Sequence, residues 1–290
     1  MELISLLYGI YPRSENLRKA YSKWEKGLLS SMEVSSIINE ESLHYYDMMR
    51  EAALNYFTDP LFNWYDILRP LALSIEGVKL GPLARYKATN TFYREPEIER
   101  IGKLGEIERF KEVEENPPFP IYHEYASDSY LHFLPGINSF LKMSKVKGDV
   151  KEIKLGLKNT YEEIVRRIKI KNLLIYEPFN ADDFRVYEDI NKSTTLFLVI
   201  NGSEGNFELG NGSRFFSIIG DDPYAYSRYC EVPGVKVVDA QSTKINEDVL
   251  GKVKHYSDDF DRIIVANTES FDFLPRVIAD KKIFSFRGDE

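Results

Sequence analysis

The chain has a single cysteine, Cys230, in 290 residues. One cysteine cannot close an intramolecular disulfide or build a cysteine-rich zinc site, and such usage fits a reducing compartment. Histidine is scarce as well, with four in the chain. His123-Glu124 opens like a zinc-protease helix, but the next histidine is His132, and two ligands on one helix face need a spacing of four. Glycine is not arranged for a dinucleotide: Gly210-Asn211-Gly212 is not completed three residues on by the third glycine of a G-x-G-x-x-G turn. There is no excess of positive charge. Lysine and arginine number 38 against 46 acidic residues, a net charge of −8, so a nucleic-acid partner is not expected, because phosphate-backbone affinity rests on basic side chains. No run approaches the ~18 apolar residues of a membrane span. The apolar opening Met1–Pro12 has no basic residue before it and no small-residue cleavage pattern after it, so the expectation is a cytoplasmic protein without a membrane partner.

What is present is a 43% hydrophobic chain in which short apolar runs alternate with segments of helical period. The expected strands are Glu2–Tyr8, Leu61–Tyr65, Phe119–Tyr125, Asn172–Tyr176, Thr194–Ile200, Arg214–Ile219, Val235–Asp239 and Arg262–Ala266. Each is short and nearly continuously apolar, as strands buried on both faces tend to be. Between them, Leu17, Ala20, Tyr21, Trp24 and Leu28 share one helix face, as do Val34, Ile37, Ile38, Met48, Met49, Ala52 and Tyr56. Further helical patterns cover Ser129–Met143, Thr160–Ile170, Asp182–Ile190, Ile245–Val253 and Phe271–Ala279. Eight such units within ~250 residues favour a closed (βα)8 TIM-like barrel, with an open doubly wound sheet as the alternative. The barrel spans residues 1–290 as one domain. Leu68–Pro118 breaks the alternation and is read as a long loop-rich insertion after an early strand, placed at the barrel mouth.

Three groups of residues invite a chemical reading. His123, Glu124 and Asp128 could meet at a strand end as an acid/base or oxygen-ligand metal cluster, or form ordinary hydrogen-bonded mouth residues. Residues 142–171 hold ten basic side chains against four acidic ones, which reads as a solvated helix face or as an anion-binding surface. Tyr11-Pro12-Arg13 ends the first strand and opens a helix with Arg18, Lys19, Lys23 and Lys26, where cations beside a helix start can capture a carboxylate or phosphate. Arg13, Arg18 and Arg85 are expected to converge at the mouth, unless Asp59, Asp66 or Glu15 neutralises them as internal ion pairs.

Several segments resemble the N-terminal barrel of cobalamin-independent methionine synthase. Gly9-Ile10-Tyr11-Pro12-Arg13, then Leu17-Arg18-Lys19-Ala20 and Trp24-Glu25-Lys26-Gly27, is similar to that family's opening G-F-P-R pattern with its following helix. Phe62-Asn63-Trp64-Tyr65-Asp66 resembles its F-x-W-Y-D. Arg85-Tyr86 and Thr89-Asn90-Thr91-Phe92-Tyr93 resemble its K-W-F-x-T-N-Y-H-Y, and Tyr176-Glu177-Pro178 its D-E-P strand end. Ala266–Pro275 falls where that barrel closes. Tyr176 replaces the aspartate of D-E-P, and the loop between Gly9 and Leu17 is shorter than the family's.

The resemblance implies a stand-alone barrel that is non-catalytic by itself and assists methyl transfer from a polyglutamylated 5-methyltetrahydrofolate-type donor, or another methyl donor, to homocysteine. It implies a separate zinc-bearing catalytic barrel as partner, with no metal or other cofactor on this chain. The substrate-binding residues it implies are Arg13, Arg18, Arg85, Trp64, Asp66, Asn90 and Glu177. The alternatives are a self-sufficient enzyme using His123, Glu124, Asp128 and Glu177 at the mouth, and a structural barrel without a ligand.

Overall fold

A computed structural model describes residues 1–86, 91–105, 107, 128–179, 183–202, 205–245 and 247–287. Eight parallel strands close into a barrel: β1 (Glu2–Leu7), β2 (Tyr56–Thr58), β5 (Tyr130–Pro135), β7 (Asn172–Glu177), β8 (Thr195–Ile200), β9 (Phe215–Gly220), β10 (Cys230–Val238) and β11 (Arg262–Asn267). Neighbours around the barrel follow chain order, and β1 pairs in register with β11 to complete the ring, Ile4 opposite Ile264. The helices α1 (Glu15–Glu25), α2 (Ser31–Glu51), α4 (Ile137–Lys142), α5 (Val150–Ile168), α6 (Glu188–Asn191) and α7 (Val249–Val253) lie between successive barrel strands, and α8 (Arg276–Ile283) follows the last. This is the (βα)8 class that the strand–helix alternation predicts.

The lumen is a packed core, because rings from strands that are not neighbours meet across it. Tyr56 of β2 and Phe197 of β8 have centroids 4.8 Å apart, and Phe216 of β9 adds a third ring 4.8 Å from Phe197. Gly234 of β10 makes room there, since a Cβ on it would lie 2.4 Å from the Ile219 side chain. Outside the barrel, α2 begins on a capping box in which the Ser30 side chain accepts the Glu33 amide and the Glu33 carboxylate accepts the Ser30 amide. Among the described residues, no helix is long and apolar enough to cross a membrane.

Six of the eight expected strands are found; the second and third differ. The run Leu61–Tyr65 is buried but not extended: Leu61 has φ +54°, and the Asp59 carboxylate accepts its amide at 2.7 Å, so the chain turns and the strand lies upstream at Tyr56–Thr58. Phe119–Tyr125 lies outside the described residues, and the third barrel strand is β5. Its residues were expected to start a helix over Ser129–Met143, but Pro135-Gly136 divides that pattern into a strand and the short α4.

The stretch from Leu68 is not loop-rich at its start. It forms α3 (Arg69–Ser74) and an antiparallel hairpin of β3 (Val78–Tyr86) and β4 (Thr91–Ile98), with the two-residue β6 (Lys145–Val146) alongside. Gly81, Pro82 and Pro96 mask the strand pattern, because proline and glycine in a strand are tolerated only at edges and irregularities. The hairpin register shifts between Leu80 and Leu83, at Gly81-Pro82.

Candidate functional site

The carboxyl ends of the eight strands define one face of the barrel, where side chains carried by several strands can meet. Gly9, just past β1, has φ +90°, and a Cβ on it would collide with Ser270 Oγ at 2.3 Å. Only glycine lets this turn sit against the loop after β11. Ser270 Oγ then accepts the Ile10 amide at 3.2 Å, and Thr58 Oγ1 accepts the Gly9 amide at 3.1 Å. The fully buried Asn267 clamps the same seam: its side chain accepts the Tyr8 amide and donates to the carbonyls of Tyr8 and Glu269.

Above this seam lies a cleft of about 70 Å³ between the strand ends and the hairpin. Tyr176, Glu269 and Ser270 line it from the barrel, Tyr86, Phe92 and Tyr93 from the hairpin, and Tyr65 and Asp66 from the segment after β2. A hydrogen-bonded chain crosses its floor. The Tyr176 hydroxyl donates to Glu269, Asn201 Nδ2 reaches the other Glu269 oxygen at 3.4 Å, and Asn201 Oδ1 accepts from Lys236 Nζ at 2.5 Å. Lys236 also pairs with Asp221 at 2.9 Å. Burial, reinforced by the negative charge of Glu269, holds the Tyr8 phenol well above its ordinary range; the Tyr176 phenol is raised by burial, then by Tyr8 and Glu269. Both remain protonated donors at any physiological pH.

The resemblance-based residues have distinct fates. Arg13 donates from Nε to the Phe62 carbonyl at 2.7 Å and from a terminal nitrogen to the Trp64 carbonyl at 3.2 Å. Its guanidinium lies 4.0 Å from the Tyr21 ring centre and 4.9 Å from that of Tyr65, a cation–π arrangement on both. Arg18 stands on the exposed face of α1 and pairs with Glu15, one of the internal partners foreseen for it. Arg85 is an exposed residue of β3, adjacent to the cleft-lining Tyr86. Arg13 and Arg18 thus have separate partners and do not share a site.

Trp64 is buried behind the cleft against Phe133, with ring centres 5.8 Å apart. Asp66 lines the cleft, but its oxygens accept the Leu68, Arg69 and Arg94 amides and pair with the Arg69 side chain. Glu177 is fully buried and faces α4: it accepts the amides of Asn138 at 3.1 Å and Ser139 at 2.7 Å, the Asn138 side chain at 2.8 Å and the Tyr187 hydroxyl. A Cβ on Gly136 would fall 2.0 Å from the Glu177 carboxyl carbon, so that glycine is required for the contact. Glu177 therefore holds a helix start in place and does not line the cleft.

Asn90, His123 and Glu124 lie outside the described residues. Asp128 was expected with the two latter at the mouth, but it precedes β5, and its carbonyl accepts from Asn172, the first residue of β7. That is the opposite end of the barrel. In the basic stretch 142–171, Lys147 pairs with Glu97 and Lys158 with Asp189, which ties α5 and its lead-in to their surroundings, while Arg167 pairs with Glu163 along α5 itself. Sequence reasoning missed Lys236, Asn201, Asp221 and Glu269. A signal existed for three of them: Asn201, Asp221 and Glu269 come just after an apolar run, the position where a barrel strand delivers side chains to the mouth, whereas Lys236 lies inside β10.

A thiolate-held zinc does not fit this mouth. Cys230 is the first residue of β10, at the far end of the barrel, where its buried thiol faces the Tyr226 carbonyl and burial pushes its pKa up to about 11. Among the described residues, no three His, Cys, Asp or Glu side chains are grouped to hold a metal ion.

No protein-family model matches the chain, and no curated protein matches it in sequence. Solved structures do match in fold. One is a candidate vitamin-B12-independent methionine synthase from Listeria monocytogenes, at 14% identity and a TM-score of 0.66 over 96% of this chain and 94% of that one. Another is a B12-independent methionine synthase from Shewanella sp. W3-18-1 in complex with selenomethionine, at 11% identity and a TM-score of 0.62 over 90% of this chain and 88% of that one. At such identities the likeness is one of fold, which can host many chemistries.

Proposed function

We propose that this chain is a free-standing barrel of the methionine-synthase type that binds a methyl-transfer substrate at its mouth and does not methylate homocysteine alone. In this reading it acts in the cytoplasm beside a separate zinc-bearing barrel, in methionine biosynthesis. One observation carries the proposal. The two segments most similar to the methionine-synthase pattern, Gly9–Arg13 and Phe62–Asp66, lie ~50 residues apart in sequence, yet Arg13 joins them and both contribute to the wall of the same cleft. The fold neighbours agree with this assignment, and the position of Cys230 supports a dependent rather than self-sufficient role.

The methyl donor under this proposal is a polyglutamylated 5-methyltetrahydrofolate-type molecule. Its tail would run over the outer rim, where Arg18 and Arg85 are exposed, while Arg13, Trp64 and Asp66 shape the wall and Glu177 holds α4 behind it. Asn90 completes the proposed set. Because surface charge pairs are weak and screened by salt, an anionic tail can compete with Glu15 for Arg18. Binding of tri- and monoglutamyl 5-methyltetrahydrofolate by calorimetry tests this: Arg18→Ala with Arg85→Ala should weaken the triglutamyl form about tenfold and leave the monoglutamyl form nearly unchanged. Equal loss for both, or no folate binding by the wild type, would contradict the tail assignment.

A further inference from the structure

The mouth cleft is rich in aromatic rings. Among the described residues it is lined by the rings of Tyr65, Tyr86, Phe92, Tyr93, Tyr176 and Phe273, and by no lysine or arginine. Of its three carboxylates, Asp66 is matched by Arg69, and Asp272, beside Glu269 in the lining, has its carboxyl pKa raised to about 7 by desolvation, with the Glu269 charge adding to the rise. Glu269 is different. It is half-buried, and its partners are neutral, the Tyr176 hydroxyl and the Asn201 side-chain amide. The buried ammonium of Lys236 makes its direct ion pair with Asp221 and reaches Glu269 only through the Asn201 side chain.

A carboxylate enclosed by rings and held only by neutral donors favours a cation beside it, since an opposite charge stabilises an ionised group most where water is partly excluded. The same rings attract cations through their faces, and aromatic walls with a counter-charge are the arrangement that recognises quaternary ammonium groups. We propose that the mouth cleft seats a small organic cation, an ammonium or sulfonium centre, between its aromatic walls and the Glu269 carboxylate. The inference rests on the mouth cleft being a ligand site, and it gives the cleft a cationic occupant distinct from the folate-type donor. A polyanionic tail stays outside, on the arginine-bearing rim.

Calorimetric titration of the full chain with choline and with 3,3-dimethylbutan-1-ol, a neutral molecule of the same shape, tests the charge requirement. Choline should bind at least about tenfold more tightly than the alcohol, and Glu269→Gln should remove most of that preference. Phe92→Ala provides a second variant at an exposed position, 59% accessible, where folding is not at stake; it should weaken choline about threefold. Equal affinity for the two ligands, or no choline binding, would overturn the inference. Triglutamyl folate titrated into the same preparation separates the outcomes: folate bound without cation selectivity removes this inference alone, and neither ligand bound removes the cleft reading as well.

Discussion

Lys236 Nζ stands 2.9 Å from Asp221 Oδ1 although 4% of the lysine side chain is exposed and 66% of the aspartate's is. A buried ammonium thus draws its counter-charge from a residue that water reaches freely. The asymmetry sets the expected cost of each deletion. Asp221→Asn leaves a cation in the barrel with an amide as its remaining partner, and should destabilise the fold by about 1–2 kcal/mol, the desolvated side of a half-exposed pair. Lys236→Met keeps the volume and leaves Asp221 in water, and should cost less. Thermal denaturation of the two variants checks the order; a larger loss for Lys236→Met would show that its hydrogen bond to Asn201 outweighs the ion pair.

Glu177 presents its carboxylate to two consecutive backbone amides at the start of α4. In Glu177→Gln one oxygen becomes an NH2 group, which must face donors, so a loss of about 2–3 kcal/mol in chemical denaturation is expected. Ligand affinity at the cleft should stay within about twofold, because the residue does not line it. A selective loss of folate binding in a variant of normal stability would instead place Glu177 in the binding site.

The parts of this architecture that were legible in the sequence are those whose physics is local. β7, β8, β9 and β11 are apolar along their length because both faces are buried, and they can be read directly. β2 is three residues long, and the longer apolar run after it is buried for a tertiary reason: Phe62 and Trp64 offer their carbonyls to Arg13. The hairpin was hidden by its glycine and prolines. In the site, Arg13 stands out as an arginine at a strand end, but Glu269 and Asn201 acquire meaning only when β7, β8 and β11 bring them to one floor. Glu177 shows the converse error. A strand-end carboxylate looks like a ligand-binding group until the amides of α4 are seen to occupy it.

Asp59 gives the protein a defined acid–base signature. It is buried, and burial raises its carboxyl pKa to about 7, opposed by hydrogen bonds from the Tyr46 hydroxyl at 2.6 Å and the Leu61 amide. Its folded pKa therefore exceeds the unfolded one, so the native state holds a proton that the unfolded chain releases. The stability this confers is fully present below about pH 4 and is lost as pH rises toward 7, at up to ~1.4 kcal/mol per unit. Asp59→Asn should abolish that part of the slope and gain relative to wild type as pH rises. Denaturation midpoints of both proteins from pH 4 to 8 measure it; parallel curves would mean that Asp59 is ionised in the folded protein throughout.

The central claim, a methyl-transfer barrel that depends on a partner, is tested most directly by homocysteine methylation with 5-methyltetrahydrofolate. Three preparations decide it: the purified chain alone, a zinc-bearing catalytic barrel alone, and the two mixed. The account predicts no turnover by the chain alone, even with zinc supplied, since Cys230 is buried at the far end of the barrel and cannot reach the mouth. It predicts that adding the chain raises the catalytic barrel's rate at limiting folate concentration. Turnover by the isolated chain, or a mixture no faster than the catalytic barrel by itself at every folate concentration, would contradict it.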